Sequence, residues 1–507
     1  MPNQQFVVKC WLNIHFEYFC NLLFYLYIIM KRLFVILLSV VCCVSANAQN
    51  YRITLQTPNY TSGITYLAYH MGKNLNAEDS AVVSNKGTAI FTGNRVLPGG
   101  IYAIVFPGKS RTVDFFVDSG IVNNNITIKA DTTDLLNKTV VTGSKENILF
   151  DQYQKTIAAK GEQLEKERIA YTNSKTKADS ALHEENYSKY NKELNAYRET
   201  IIKTQPNSMM ATLLEAMKEP EIPNKKPLTH QDSLSNYYYY KEHYWDGVSF
   251  MDERVIRTPF FLPKLERYYR EVIVQSPDSI IKESDYQLLL ARTCPEMYKF
   301  LLNWFTDEYF NPKYMGLDAV FVHLFENYHS KGISYWLNDK QQQAISRQAY
   351  MVMSNLIGLQ AANLELIDTA DKPTPLYSLD ADYTLVCFWD PTCSHCKEQV
   401  PKIDSIYQAS WKKHNVKIYA VLTEDVKPEW IKYIREHSLG DWTNVYETKE
   451  MEKADADAQK ASFRQLYDVT MTPTLFLLDK EKRIIAKKLT WEQINDLLQV
   501  KWNNKTN

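Results

Sequence analysis

The feature that most constrains the fold is a pair of cysteines, Cys393 and Cys396, at the junction between a strand pattern and a helix pattern. Residues 384–389 form an apolar run with β-branched and aromatic side chains, which predicts a buried strand. Residues 397–407 carry apolar residues at helical spacing, and a turn lies between the two patterns. A C-x-x-C motif at such a junction is the layout of a dithiol redox centre, so the function is expected here.

The spacing gives the two cysteines different surroundings. Cys393 falls at the N-terminus of the predicted helix, where the partial positive charge of the helix favours a thiolate. Cys396 follows one turn later and is expected to be shielded. A free thiol with a pKa of about 8.5 is mostly protonated at neutral pH, whereas thiols of this type fall to roughly 3.5–7.5. We therefore predict that Cys393 is the nucleophile that attacks a disulfide and that Cys396 resolves the mixed disulfide.

Two segments of the chain resemble the thioredoxin superfamily. Residues 386–401 are similar to its active-site block, with an aromatic pair, then C-x-x-C-Lys, then Pro401 in the first helix. Residues 469–477 resemble the segment that holds the family's cis-proline, here Pro473. An X-Pro bond adopts the cis form at little cost, so this is a plausible feature of the fold. The long stretch between the dithiol and Pro473 leaves room for the extra strand and helix of the TlpA/ResA branch, which is the branch that the chain resembles.

The resemblance carries expectations about binding and cofactors. It implies that Thr472 and Pro473 present backbone groups to an extended substrate segment, much as an added strand pairs with a sheet edge. It also implies that the redox group is the Cys393–Cys396 disulfide itself, with no metal and no bound cofactor.

Ser394 and His395, between the two cysteines, bear on the direction of electron flow. A histidine just before the second cysteine resembles the more oxidising members of the superfamily, protein disulfide isomerase and DsbA, where thioredoxin has Gly-Pro. A protonated His395 would stabilise the Cys393 thiolate and make the disulfide easier to reduce. The alternative is that the ring is exposed and its charge is screened. We interpret Ser394, His395 and the preceding Trp389 as the residues that tune the potential.

The position before the aromatic pair departs from the family pattern. Thioredoxins carry a buried acid there that aids resolution of the mixed disulfide, and this chain has Cys387. Cys387 is interpreted as a small core residue, although a thiol at this place could also trap side reactions. Four acids are candidates to replace the missing one, and the sequence does not choose among them: Glu365, Asp368, Glu424 and Asp425.

The N-terminus has the pattern of a secretion signal. Lys31 and Arg32 precede an apolar run at residues 33–44, and a small-x-small cleavage pattern follows. We predict a signal peptide at residues 30–48, a gene-model extension at residues 1–29, and export to the periplasm. A membrane anchor retained in the mature protein is the alternative, because part of the extension is also apolar.

The rest of the chain divides into three parts. Residues 49–143 show short strand patterns separated by Gly, Asn and Pro turns, which predicts a small antiparallel β-sandwich. Residues 144–362 are predicted to be helical, with long solvated helices that break at residues 172–174 and then aromatic-rich helices whose rings are interpreted as core. Residues 363–507 alternate strands and helices, including a helix expected at residues 456–467, and form the thioredoxin-like domain. The predicted fold class is therefore multidomain, with an N-terminal all-β sandwich, a central α-helical domain and a C-terminal α/β thioredoxin-like fold.

Other functional classes fit the sequence less well. Lys and Arg (58) nearly balance Asp and Glu (59), so the chain offers no field that would attract nucleic acid. A zinc site needs about four ligands, and no second C-x-x-C or H-x-x-x-H accompanies this one. A peroxiredoxin would need a single peroxidatic cysteine in a different Pro/Thr setting. A non-catalytic binding protein that uses the thioredoxin domain as a scaffold predicts a missing cysteine or a lost cis-proline, and the sequence keeps both features.

The expected function is therefore that of a periplasmic thiol–disulfide oxidoreductase that reduces disulfides in exported proteins. A disulfide oxidase or isomerase is the alternative within the same chemistry. The electron donor implied by the resemblance is a membrane dithiol protein of the DsbD type.

Overall fold

The structure is a computed structural model that describes residues 50–118, 124–224 and 226–505. The predicted signal peptide at residues 30–48 and the extension at residues 1–29 lie outside the described residues. Across the described ranges, no helix combines the length and the apolar character that a membrane crossing requires.

The chain divides into two compact units. The first contains the described residues up to Glu221, together with Trp245–Val248 and Glu253–Pro263. The second contains Ile222–Tyr244, Ser249–Asp252 and the residues from Lys264 onward, again as far as they are described. The domain boundaries expected after residues 143 and 362 stay predictions.

The first unit begins with a β-sandwich. Its strands are β1 (Tyr51–Gln56), β2 (Ile64–Met71), β3 (Asn74–Val82), β4 (Thr88–Gly93), β5 (Gly100–Val105), β6 (Thr112–Val117), β7 (Asn124–Lys129) and β8 (Val140–Thr142). They form two four-stranded sheets, ordered β4-β1-β7-β8 and β3-β2-β5-β6. Alternate residues point inward, as Ile53 and Leu55 do on β1, and the inward side chains form the core between the sheets. The predicted sandwich is confirmed.

Two details of the sandwich differ from the expectation. The strands are not purely antiparallel, because β1 pairs in parallel with β7. Strand β3 was also not predicted, because its residues, NLNAEDSAV, are mostly polar. β3 lies at the end of its sheet, next to β2, and its residues are exposed or only partly buried. An edge strand of this kind lacks the apolar alternation by which a strand is recognised.

Helices complete the first unit. They are α1 (Leu135–Lys138), α2 (Lys145–Asn173), α3 (Lys177–Thr204) and α4 (Met209–Ala216). The two long helices are mostly exposed and pack against each other, and the chain breaks between them where the sequence predicted it. Ser208 is the N-cap of α4, and its side chain accepts a hydrogen bond from the backbone N–H of Ala211.

Further helices precede the C-terminal sheet. They are α5 (His230–His243), α6 (Phe261–Arg267), α7 (Pro277–Ala291), α8 (Pro295–Phe310), α9 (Asp318–Leu324) and α10 (Asp339–Val352), with π-helical turns at Tyr268–Val272 and Phe325–His329. Rings such as Tyr268, Tyr269 and Phe305 are at most 2% exposed and pack against one another, as the core interpretation expected. Other aromatics remain exposed, Tyr335 and Tyr350 among them.

The C-terminal part is a six-stranded sheet covered on both faces, as predicted for a thioredoxin-like fold. Its strands are β9 (Ile367–Asp368), β10 (Tyr383–Trp389), β11 (Val416–Leu422), β12 (Thr443–Tyr446), β13 (Thr474–Leu478) and β14 (Ile484–Lys487), in the order β14-β13-β10-β11-β12-β9. Its helices are α11 (Ser394–Ala409), α12 (Lys427–Glu436), α13 (Lys449–Asp457), α14 (Phe463–Leu466) and α15 (Trp491–Lys505). The prediction of one helix at residues 456–467 is wrong, because two separate helices, α13 and α14, overlap this range.

Side chains on the two faces of β10 belong to two different cores. Leu385, Cys387 and Trp389 pack with α11, α12 and α15 on one face. Val386 and Phe388 pack on the other face with α14 and the segment before β10. This alternation follows from the two-residue repeat of a strand and explains why every residue of β10 is buried.

A buried ion pair connects β14 to the helices of the same unit. The Lys487 ammonium donates hydrogen bonds to the carboxylate of Asp318, on α9, and to the backbone and side-chain oxygens of Asn355, the latter two at 2.8 Å. The two charged side chains are only 6% and 11% exposed. Residues 358–361 also pair with residues 482–484, so the start of β14 is covered at the outer edge of the sheet.

Candidate active site

The turn after β10 fixes where the first cysteine falls. β10 is the central strand, parallel to β11 and antiparallel to β13. The Asp390 carboxylate accepts hydrogen bonds from the backbone N–H of Thr392 at 2.7 Å and from its hydroxyl at 2.8 Å. The backbone N–H of Cys393 donates to the carbonyl oxygen of Asp390 at 3.2 Å. This Asx-type turn delivers Cys393 to the N-cap position of α11.

The two cysteines have the unequal exposure that their spacing predicted. The side chain of Cys393 is partly exposed, and that of Cys396 is fully buried. The sulfur of Cys396 accepts a hydrogen bond from the backbone N–H of Asp390 at 3.5 Å. Both cysteines are free thiols in the structure.

The two thiols also differ in acidity. Burial alone would raise the pKa of Cys393, but hydrogen bonds from the Thr472 side chain, from the Cys396 backbone and thiol, and from the backbone N–H of His395 outweigh it and lower the pKa. Burial raises the pKa of Cys396 to about 12, although the Asp390 N–H opposes the shift. Cys393 is therefore the thiol that ionises first, which matches the predicted order of roles.

Pro473 lies opposite the dithiol because of the sheet topology. β13 runs antiparallel to β10, so its first residue, Thr474, pairs with Phe388 near the carboxyl end of β10. The segment that leads into β13 therefore faces the start of α11. The Thr472–Pro473 peptide bond is cis. The carbonyl oxygen of Thr472 lies 3.5 Å from the sulfur of Cys393.

Pro473 also lines a cavity. Its volume is about 230 Å³, and its lining includes Gln399, Ile403, Met471 and Trp491. The side chain of Met471 is 72% exposed. The indole N–H of Trp491 is buried and has no hydrogen-bond partner among the described residues.

The residues expected to tune the potential take different positions. Ser394 and His395 are exposed in the first turn of α11, and the group of His395 that reaches the Cys393 sulfur is its backbone N–H. Trp389 is fully buried in the core beneath α11. The structure thus brings Cys393, Cys396 and Thr472 together and leaves the His395 ring at the surface.

None of the four candidate acids reaches the dithiol in the described part of the chain. Glu424 pairs with Arg464 at 2.8 Å and Asp425 with Lys449 at 2.6 Å. Asp368 accepts hydrogen bonds from the backbone of its own turn, and Glu365 accepts one from Asn363. The position of the missing acid is held by Cys387, which is fully buried in the same core cluster as Cys396. Burial, together with the neighbouring Cys396, raises the pKa of Cys387, so this thiol stays protonated.

One residue near the site was not singled out from the sequence. Tyr433, on α12, packs its ring against that of Trp389 with a centroid separation of 5.3 Å. It belongs to the core cluster that contains Cys396. Its only sequence signal was its place on the apolar face of α12 between Trp430 and Ile434, and that pattern indicates burial without indicating chemistry.

Comparison with known proteins supports two of the expected modules. The profile of a thioredoxin-like family matches residues 380–484. The profile of a domain of unknown function (DUF4369) matches residues 51–150, which include the β-sandwich.

Individual relatives are similar to part of the chain. The thiol-disulfide oxidoreductase ResA of Bacillus cereus (strain ZK / E33L) is 25% identical over 146 residues, which are 28% of this chain and 77% of the relative. A solved domain of a "possible thiol-disulfide isomerase" from Cytophaga hutchinsonii is 35% identical and covers 30% of this chain and 97% of its own, with a TM-score of 0.26. A thioredoxin-like protein from Bacteroides caccae is 21% identical and covers 56% of this chain and 98% of its own, with a TM-score of 0.43. The chain is thus a multidomain protein that belongs, through its C-terminal domain, to the TlpA/ResA-like branch of the thioredoxin superfamily.

Proposed function

We propose that this protein is an exported thiol–disulfide oxidoreductase that exchanges disulfides with protein substrates through Cys393 and Cys396. The observation that carries the proposal is the geometry of the two sulfurs. A partly exposed thiol with a lowered pKa lies at the N-terminus of α11, facing the Thr472 carbonyl, and a buried thiol lies one turn behind it. This arrangement exposes one sulfur to a substrate and keeps the second within reach of the first.

The reaction has two steps. The Cys393 thiolate attacks a sulfur of the substrate disulfide, forms a mixed disulfide and displaces one substrate thiolate. Cys396 then loses its proton and attacks the Cys393 sulfur, which forms the Cys393–Cys396 disulfide and releases the second substrate thiolate. Two electrons pass from the dithiol to the substrate, and the two substrate thiolates take up two protons. No group besides the dithiol is needed for this chemistry.

The surroundings of Pro473 support a protein substrate in an extended conformation. The Thr472 carbonyl oxygen is directed at the reacting sulfur, where it can accept a backbone N–H of a bound segment. The adjacent cavity, with the exposed Met471 at its rim, offers apolar surface for a neighbouring substrate side chain. The proposed substrates are exported proteins that contain disulfides. The proposed electron donor is a membrane dithiol protein of the DsbD type.

The direction of electron flow is proposed to be reduction. The TlpA/ResA-like resemblance supports a reductase, and the exposed position of the His395 ring weakens the case that its charge makes the pair strongly oxidising. A periplasmic location is supported by the signal pattern at residues 30–48.

Turnover of a protein disulfide with a dithiol donor tests the activity. The wild-type protein is expected to reduce the interchain disulfides of insulin, and Cys393→Ser is expected to abolish this reduction. A wild-type protein without turnover would favour the scaffold class of binding protein, and full turnover in Cys393→Ser would refute the assignment of the nucleophile.

A redox titration of the Cys393–Cys396 pair tests the direction. A potential of about −270 mV, as in thioredoxin, supports the reductase, whereas values of about −120 to −180 mV support the oxidase or isomerase.

A further inference from the structure

Strand β6 lies at the end of its sheet, and every second residue directs its backbone away from that sheet. Among the strands that the structure describes, its one partner is β5, and the hydrogen bonds along an antiparallel pair alternate. The N–H of Phe106 donates to the carbonyl oxygen of Arg111 at 3.1 Å in the same register, which fixes the alternation. The N–H and C=O groups of Thr112, Asp114 and Phe116 therefore point outward.

The outward backbone of Phe116 is already paired. The side-chain amide of Asn147, on α2, accepts a hydrogen bond from the Phe116 N–H and donates one to the Phe116 carbonyl, both at 2.8 Å. A neighbouring strand would make the same two bonds, and they agree with the alternation fixed at Arg111. Thr112 and Asp114 have no such backbone partner within the described ranges. The edge of the sheet is thus closed at Phe116 and open over residues 112–114.

A cavity of about 250 Å³ borders the open part of this edge, since residues 112–114 all line it. Apolar side chains from α1, β8 and α2 also line it: Leu135, Leu136, Val141 and Phe150. Thr139 is another lining residue, is 8% exposed, and carries a hydroxyl without a hydrogen-bond partner among the described residues. Buried polar groups in proteins are normally paired, so an unpaired hydroxyl and an unpaired strand edge at one cavity indicate that a ligand supplies the partners.

The charged groups on the cavity lining are both acidic. They are Asp114 and Asp151, and no basic side chain lines the cavity in the part of the chain that the structure describes. The carboxylate of Asp114 lies 3.4 Å from Nε2 of His70, and that of Asp151 pairs with Lys155 at 2.8 Å. The side chains of both acids are about one third exposed (37% and 34%), so a basic ligand group can still reach them. The lining therefore favours a cationic ligand over an anionic one.

A strand added to this edge would continue the alternation of β6. The side chain of Val113 belongs to the core between the two sheets, and Leu135 and Val141 pack against that core. The side chain of Asp114, the next residue of the strand, lies on the opposite face. Side chains of an added strand are therefore expected to be apolar beside Val113 and basic beside Asp114.

We propose that residues 112–114 and the adjoining cavity bind an extended segment of another protein as an added strand, and that this segment alternates apolar and basic residues. Main-chain hydrogen bonds supply affinity in this mode of binding, and the alternating side chains supply selectivity. The site lies in the first compact unit and does not use the dithiol, so its binding is expected whether or not the redox activity is present.

A fluorescein-labelled heptapeptide of alternating valine and lysine is the probe, and the full chain is the receptor. Fluorescence anisotropy is expected to rise to saturation as protein is added. The matched peptide of alternating valine and glutamate is expected to bind at least about tenfold more weakly, because its carboxylates meet those of Asp114 and Asp151.

Backbone N-methylation distinguishes strand addition from a purely ionic contact. The N–H groups of an extended peptide alternate between its two edges, so methylation of the odd or of the even residues removes donors from one edge only. One of the two methylated peptides is expected to lose at least about tenfold in affinity, and the other is expected to keep it. Hydrogen exchange followed by NMR is expected to slow at the N–H groups of Thr112 and Asp114 and to stay unchanged at Val113, which already bonds to β5.

Leu136→Lys tests the cavity from the side of the protein. Leu136 lines the cavity and is 43% exposed, so the core tolerates the change while the new ammonium group repels a basic peptide. The affinity for the lysine peptide is expected to fall at least about tenfold. Val140→Lys is the matched control, because Val140 is 52% exposed and is not among the lining residues of this cavity. It is expected to bind the peptide as the wild type does.

Asp114→Asn is a second variant that keeps the size of the side chain. It is expected to weaken the lysine peptide about threefold, as the loss of a partly exposed ionic contact does, and to leave the glutamate peptide no weaker.

Four results would overturn the inference. They are equal binding of the lysine and glutamate peptides, equal effects of methylation on the two edges, wild-type affinity in both Leu136→Lys and Asp114→Asn, and an equal loss in Val140→Lys. A wild-type dimer that Leu136→Lys dissociates would show that a second copy of this chain occupies the edge, and it would also refute the proposed partner.

Discussion

The sulfur of Cys393 lies 3.5 Å from the carbonyl oxygen of Thr472, which precedes the cis bond to Pro473. Only the protonated thiol can donate a hydrogen bond to this oxygen. When Cys393 ionises, the oxygen loses its donor and is left next to the nucleophile. Under the proposed function, a backbone N–H of an extended substrate can then donate to this oxygen. Activation of the thiol and exposure of a substrate acceptor are thus two results of one proton loss.

Cys396→Ser is expected to trap the protein on its substrates. Without the buried thiol the mixed disulfide with Cys393 has no internal nucleophile to resolve it, so covalent complexes accumulate. Non-reducing electrophoresis after incubation with a protein disulfide measures these complexes. Cys393→Ser is the control and is expected to form none. Complexes of equal yield in both variants would contradict the assigned order of attack.

Alkylation of Cys393 is expected to persist below the pH at which an ordinary thiol loses reactivity. Hydrogen bonds to the thiolate outweigh burial and lower the pKa, so the midpoint of the iodoacetamide rate should fall below about 8.5 in the folded protein and return to about 8.5 in denaturant. Mass spectrometry assigns the site, and the buried Cys396 serves as the unreactive reference. A folded midpoint at or above the denatured one would refute the expectation.

The same shift predicts the sign of a stability change with pH. The folded pKa of Cys393 lies below the unfolded value, so the unfolded protein binds more protons at pH values between the two. Cys393 therefore contributes stability above about pH 8.5, and this contribution is lost as pH falls through the folded pKa. The raised pKa values of Cys396 and Cys387 act in the opposite sense at alkaline pH. The measurement is therefore the difference in unfolding free energy between reduced wild type and Cys393→Ser. A difference that is independent of pH would contradict the expectation.

Lys487→Met is expected to destabilise the protein by about 3–5 kcal/mol, because it leaves the buried Asp318 carboxylate without its cation. Chemical denaturation measures the loss. The double variant Lys487→Met with Asp318→Leu removes both charges and should recover most of it. Lys449→Ala, in the exposed pair with Asp425, is the matched control and should leave the stability nearly unchanged. A Lys487→Met variant that is as stable as the control would show that loss of the buried ion pair does not destabilise the protein.

Cys387→Ala is expected to leave disulfide exchange intact. The Cys387 thiol is fully buried and its pKa is raised, so it supplies neither a nucleophile nor a base. The cost is expected to be about 1 kcal/mol of stability, from a small loss of buried apolar volume. Turnover and denaturation midpoints check the two parts of this prediction. Cys294→Ala is the control, because Cys294 is a buried thiol at the N-cap of α8. A loss of turnover without a loss of stability would give Cys387 a part in the redox cycle.

Much of the site could be predicted from local sequence. The junction of β10 and α11 is encoded by residues close in the chain, so a strand pattern followed by a cysteine at a helix start was enough to assign the roles of Cys393 and Cys396. The break between α2 and α3 was likewise local. Pro473 required the family resemblance, since only the antiparallel pairing of β13 with β10 brings it to the dithiol.

Features that depend on distant residues could not be predicted. The acids Glu424 and Asp425 follow a strand near the site, but their carboxylates lie at the surface, where they pair with Arg464 and Lys449. In the sequence, Tyr433 is one more residue on the apolar face of a helix, and its contact with Trp389 is known only from the structure. Strand β3 escaped prediction because an edge strand can be polar on both faces.

The buried ammonium of Lys487 limits how this polypeptide can be shortened. All three of its acceptor atoms, on Asp318 and Asn355, come from residues that precede the predicted thioredoxin-like domain at residue 363. In a fragment that starts at residue 363, the Lys487 ammonium, which is buried in the full chain, would become exposed to solvent. The start of β14 would also lose its pairing with residues 358–361. Residues that the sequence assigns to the central helical domain thus complete part of the interior of the thioredoxin-like domain.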